Sequence, residues 1–188
     1  MTAGSDHGPT QDAYERVLPR IAALTNEKRY DDALRTLDEL LRSEEHRDVD
    51  GWLRRSVIAH RALVLAESGR AADALSEWKK RAELGLTDPS ERIEHALGSS
   101  ACLTRLHRHD EAIALLRKAL REVPLSHLGS ALGLLDRLAE AYAGSGEAFP
   151  ESYRPLVRAI AGYYGASIAD PGDLKLAVTK LAADIRGA

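Results

Sequence analysis

Three stretches of this chain carry one order of residues: Tyr30-Asp-Asp-Ala33-Leu34-x-x-Leu37-x-x-Leu40-Leu41, Ala71-Ala-Asp-Ala74-Leu75-x-x-Trp78-x-x-Arg81-Ala82 and His109-Asp-Glu-Ala112-Ile113-x-x-Leu116-x-x-Ala119-Leu120. Apolar residues three and four positions apart mark one face of a helix, and a small alanine within that face lets another helix pack closely. A unit this short cannot bury its apolar face alone, so repeated copies must stack on their neighbours. The pattern therefore predicts an all-α fold of antiparallel helix pairs, with eight or nine helices and no sheet.

Punctuation along the chain sets the boundaries. Residues 1–10 are small and polar and read as a disordered tail. The first helix carries Tyr14, Val17, Leu18, Ile21 and Leu24 on one face, with Pro19 in its middle as an expected kink or restart. Asp48 or Asp50 can cap a long helix ending near Ser68, and Gly69 suits the residue beyond a helix C-terminus. Gly85-Leu-Thr-Asp88-Pro89 is the clearest boundary: a helix stop, a capping aspartate and a proline at a first helical position. The expected organisation is a single domain over residues 11–188, with units at about 11–42, 48–84, 88–122 and 126–164. The fourth is degenerate, because Phe149-Pro150 and Arg154-Pro155 interrupt its second half. A last amphipathic helix, 171–186, is expected to cap the exposed end of the array, with dimerisation or partner binding through this C-terminal region as the alternative.

These units resemble tetratricopeptide repeats. The family's small residue in the second helix falls on Ala33, Ala74 and Ala112, and its large apolar residue four positions on falls on Leu37, Trp78 and Leu116. Gly69 matches the turn glycine, and Pro124 the proline that ends a unit. The alanines are 41 and 38 positions apart, against about 34 in the standard repeat. The likeness is thus to the long-repeat variant, with lengthened first helices. It implies a short right-handed superhelix, an α-solenoid, whose first helices line a concave groove.

Composition narrows the function. A net charge of −3 with dispersed basic residues argues against direct nucleic-acid binding or attachment to anionic membranes, both of which need a dense positive field. Residues 1–10 hold no apolar signal core and no later run approaches membrane length, so the chain reads as cytoplasmic. Arginine outnumbers lysine and alanine is abundant, a bias of GC-rich bacterial genomes. Cys102 is the only cysteine, which excludes an internal disulfide and a multi-cysteine metal site.

No phosphate loop, nucleophile elbow or His-Glu-x-x-His appears, so catalytic, metal and cofactor sites are all read as none. His107-Arg-His109-Asp110 reads as a tight turn, and Glu91 with His95 as an exposed intrahelical pair. Cys102 and Trp78 read as buried packing, whereas Trp52 is open between packing and an exposed contact. Carried over from the repeat register, the groove contacts are His60, Glu67, Glu94, Arg105, Asp136, Arg137 and Glu140, with the degenerate region 149–164 and its Tyr153, Tyr163 and Tyr164 as the alternative surface. This groove is mildly acidic and suits a protein or peptide partner with basic residues. The function that the resemblance implies is a non-catalytic interaction module: an adaptor, regulator or immunity-type inhibitor. A module working with a separate transcriptional regulator is the alternative, and an enzyme using His60 with Glu67 or Glu94 the remote one.

Overall fold

The computed structural model describes residues 8–44, 47, 48, 51–123, 128–163 and 178. Among them are eight α-helices and no strand: α1 Gly8–Asn26, α2 Tyr30–Glu44, α3 Trp52–Glu67, α4 Ala71–Glu83, α5 Pro89–Arg105, α6 His109–Glu122, α7 Leu128–Ser145 and α8 Arg154–Tyr163. A 3-10 turn, Glu151–Tyr153, leads into α8. No described helix is long and apolar enough to cross a membrane.

The chain divides into two compact units, residues 1–85 and 86–188. The division falls at the Gly85-to-Pro89 boundary. Gly85 adopts left-handed backbone at φ 86°. The Asp88 carboxylate then accepts the Glu91 N–H at 2.9 Å, with Pro89 opening α5. Glu91 reaches back to accept both the Thr87 N–H, at 2.7 Å, and the Thr87 hydroxyl, at 2.9 Å. This is a capping-box arrangement. It corrects the reading of Glu91 and His95 as an exposed pair: Glu91 is buried and committed to the start of its own helix.

In the first unit α2 packs against both α1 and α3, α3 packs against α4, and α1 touches α3. The core comprises Tyr14, Ile21 and Leu24 of α1, Leu37 of α2 and Leu53 and Val57 of α3. Leu37 and Trp78 are almost fully buried, as the large apolar positions require. In the second unit α6 packs against both α5 and α7, α5 touches α7, and α7 carries α8. Its core joins Leu132 and Leu135 of α7 to Val157 and Ile160 of α8, together with Val178. The expected cap at 171–186 lies outside the described residues except for Val178, which is fully buried. Residues 1–7 and Pro124 also lie outside them.

Helix boundaries differ from expectation in three places. Helix α1 begins at Gly8, inside the expected tail, and runs uninterrupted through Pro19. Pro19 is exposed, so its ring and the hydrogen bond it removes fall on the solvent side. Helix α8 starts at Arg154, because a proline at the second helical position costs no internal hydrogen bond. The unequal repeat spacing arises in the second helices and the loops that follow them: α2 has 15 residues and α4 has 13, whereas α3 and α5 have 16 and 17.

Candidate functional site

The three first-to-second helix turns are built alike. Lys28, Gly69 and His107 occupy left-handed backbone at φ 60°, 82° and 58°. The next residue is each time an arginine, whose N–H donates back to a buried leucine carbonyl: Arg29 to Leu24 at 2.8 Å, Arg70 to Leu65 at 2.9 Å and Arg108 to Leu103 at 2.9 Å. This is the Schellman closure of a helix C-terminus. Each arginine also clamps an acid three residues on. Arg29 Nε donates to Asp32 at 2.9 Å, Arg70 Nε to Asp73 at 2.8 Å and Arg108 Nε to Glu111 at 2.6 Å. The following alanine, Ala33, Ala74 or Ala112, is fully buried.

These clamps leave an electrostatic signature. The hydrogen bond from Arg29 holds the Asp32 carboxyl below the ordinary range, with burial opposing and the Arg29 and Arg35 charges reinforcing it. Stability from this clamp is therefore complete above the usual carboxylate range and fades as pH falls through the lowered value. Reading the sequence for apolar spacing missed the clamps, although a signal was present: arginine, then an acid three positions on, then alanine, at one register in all three copies. A shallow cleft of about 420 Å³ opens beside the first two turns, lined by residues 28–32 with Arg35, Ser68 and Arg70. Its guanidiniums are already engaged: Arg29 and Arg35 share Asp32, and Arg70 holds Asp73.

On the first helix faces the expected contacts fall into two groups. In the first unit His60 is half-buried, and its Nδ1 shares a hydrogen bond of 2.5 Å with the Tyr14 hydroxyl of α1. Trp52 lies edge-on to Tyr14, with ring centroids 5.4 Å apart. Trp52 is thus half-buried core rather than an open contact. Leu63 is 42% exposed, and Glu67 is exposed one turn further along α3. Below this face Arg61 of α3 pairs with Asp38 of α2 and, at 3.4 Å, with Glu77 of α4, which in turn holds Lys80 at 2.7 Å. Glu77 is buried, so the network ties three helices together where an unpaired carboxylate would be costly. The sequence reading missed this network, because Asp38 and Arg61 are far apart in the chain.

In the second unit Glu94 and Arg105 are exposed on α5, and Asp136 is half-buried on α7. Arg137 and Glu140 form an ion pair at 2.7 Å with both side chains about half exposed. Helices α5 and α7 meet where Leu97 covers Gly133. The structure therefore joins His60 to Tyr14 and Arg137 to Glu140. It describes His60 and Glu67 in one compact unit and the other five candidates in the other.

Among the described residues no three His, Cys, Asp or Glu side chains converge as metal ligands. The His107 ring, in the turn, and the His109 ring, at the first position of α6, meet edge-to-face at 5.9 Å. Cys102 is fully buried, and desolvation raises its thiol pKa against the opposing charge of Arg105. Comparison with family models, with curated proteins and with solved structures returns no match.

Proposed function

We propose that the chain is a non-catalytic protein-interaction module of the tetratricopeptide kind, which holds a segment of a partner protein against the solvent-facing sides of its first helices. One observation carries the reading. The module from buried leucine through left-handed turn and arginine clamp to buried alanine recurs three times without a change of spacing, at Leu24–Leu37, Leu65–Trp78 and Leu103–Leu116. Such repetition stabilises a scaffold while leaving the faces away from the packing free to vary, which is how repeat proteins build binding surfaces. In the first unit the face of α3 carries His60, Leu63 and Glu67, and in the second unit the faces of α5 and α7 carry Glu94, Arg105, Asp136 and the Arg137–Glu140 pair. Glu67 on the one face and Glu94 on the other suit lysine or arginine, so the partner is a protein or peptide of that chemistry.

The test is charge reversal. Partners captured on the immobilised chain are identified and their affinities measured against the parent and against a Glu67→Lys, Glu94→Lys double variant. Neither glutamate packs in a core, so the helical signal should be unchanged. Association should slow by roughly ten-fold at low salt, with the difference shrinking as salt screens the field. A partner that binds both proteins equally at all salt concentrations would remove these faces from consideration.

A further inference from the structure

Arginines at several helix starts and faces hold a carboxylate, as in the clamps before α2, α4 and α6 and the pairs of α7 and α8. The C-terminal half of α6 does not follow this pattern. Arg117, Lys118 and Arg121 are exposed within little more than one turn, and among the described residues none of the three forms an ion pair. Like charges so spaced repel one another, and the helix dipole at a C-terminus offsets only part of that.

Beside these cations lies an apolar floor. Leu120 shares their helix face, and together with Val123, Phe149, Tyr153 and Leu156 it packs half-buried against the core of the second unit. The Phe149 ring lies 5.5 Å from that of Tyr153 and 5.7 Å from the buried Tyr142. Tyr153 packs against the same core as Leu120 of α6, and burial raises its hydroxyl pKa against the opposing charges of Arg117 and Arg121. The arginines of α6 and the 3-10 turn therefore form one strip, with an aromatic floor and a cationic edge. The nearest acid on the turn, Glu151, is spent on Arg154 at 2.6 Å.

We propose that this strip is a docking site for an acidic segment of a partner protein that carries an aromatic or aliphatic anchor. Arginine and tyrosine over a half-buried apolar floor are the composition in which binding energy concentrates, and the excess of positive charge, three cations against Glu122, selects aspartate and glutamate. The polarity is opposite to that of the first-helix faces. A chain with both surfaces can hold a basic segment on one and an acidic segment on the other, which suits an adaptor.

The experiment uses the full chain and a fluorescein-labelled peptide of glutamate and aspartate with a central phenylalanine, followed by anisotropy. A peptide with lysine in place of the acids and a short DNA duplex serve as comparators. The acidic peptide should bind saturably and more weakly as salt rises. The Arg117→Glu, Arg121→Glu variant should lose about ten-fold or more in affinity at low salt with an unchanged helical signal. Tyr153→Ala should weaken binding at all salt concentrations, since it removes floor rather than charge. Absence of saturable binding, affinity untouched by the double reversal, or preference for the duplex over the peptide would each overturn the proposal. The Glu67→Lys, Glu94→Lys variant should bind the acidic peptide as the parent does, so failure here and failure of the proposed function are separate results.

Discussion

Lys28 and His107 hold the same left-handed backbone as Gly69 but carry side chains. A Cβ in that conformation crowds the following carbonyl at a cost of about 1–2 kcal/mol, part of which glycine gives back through the extra freedom of its unfolded chain. Lys28→Gly should therefore stabilise the protein by about 0.5 kcal/mol, and Gly69→Ala should destabilise it by about 1 kcal/mol. Urea denaturation of the two variants checks both signs. Loss of stability in Lys28→Gly would mean that the lysine side chain contributes more than its backbone costs. The same turn thus accepts three different residues because the hydrogen bonds from Arg29, Arg70 and Arg108 hold it, whichever side chain sits at its tip.

At the scale of elements, α6 and α7 meet at one unusual contact. The His109 ring, at the first position of α6, fills the space a side chain would occupy at Gly144 of α7. Alanine at position 144 would gain about 0.5–1 kcal/mol of helix propensity but would overlap that ring. Gly144→Ala should destabilise the parent and stabilise a His109→Ala background, a coupling of about 1–3 kcal/mol in a double-mutant cycle followed by thermal unfolding. Stabilisation in both backgrounds would show that the ring swings aside freely.

Each of the two compact units has a core and a reporter of its own. Trp52 and Trp78 lie in the first and Cys102 in the second. Because Cys102 is fully buried and its thiol pKa is raised by desolvation, a thiol reagent should react only when the second unit opens. Leu135→Ala removes a buried side chain there at a cost of about 2–5 kcal/mol, and labelling should speed up accordingly. Leu37→Ala, an equal loss in the first unit, should leave labelling unchanged while shifting the tryptophan signal. Equal acceleration by both substitutions would make the chain one cooperative block.

The helices themselves were legible in the sequence because their causes are local. Ala33, Ala74 and Ala112 with their partners at four-residue spacing, the caps at Asp48 and Asp88 and the stop glycines at 69 and 85 act within a few residues of chain. The expected binding residues were legible only as positions on helix faces, since register sets which side a residue occupies and nothing about its neighbours. Tertiary structure decided the rest. It paired His60 with Tyr14, 46 positions away, and turned Arg61 towards Asp38 and Glu77. It sank Trp52 half into the core and brought Leu120 of α6 and Tyr153 of the turn before α8 onto one core. Each of these depends on where two helices cross, which is determined by the sum of all packing contacts in a unit and is written in no single stretch of residues.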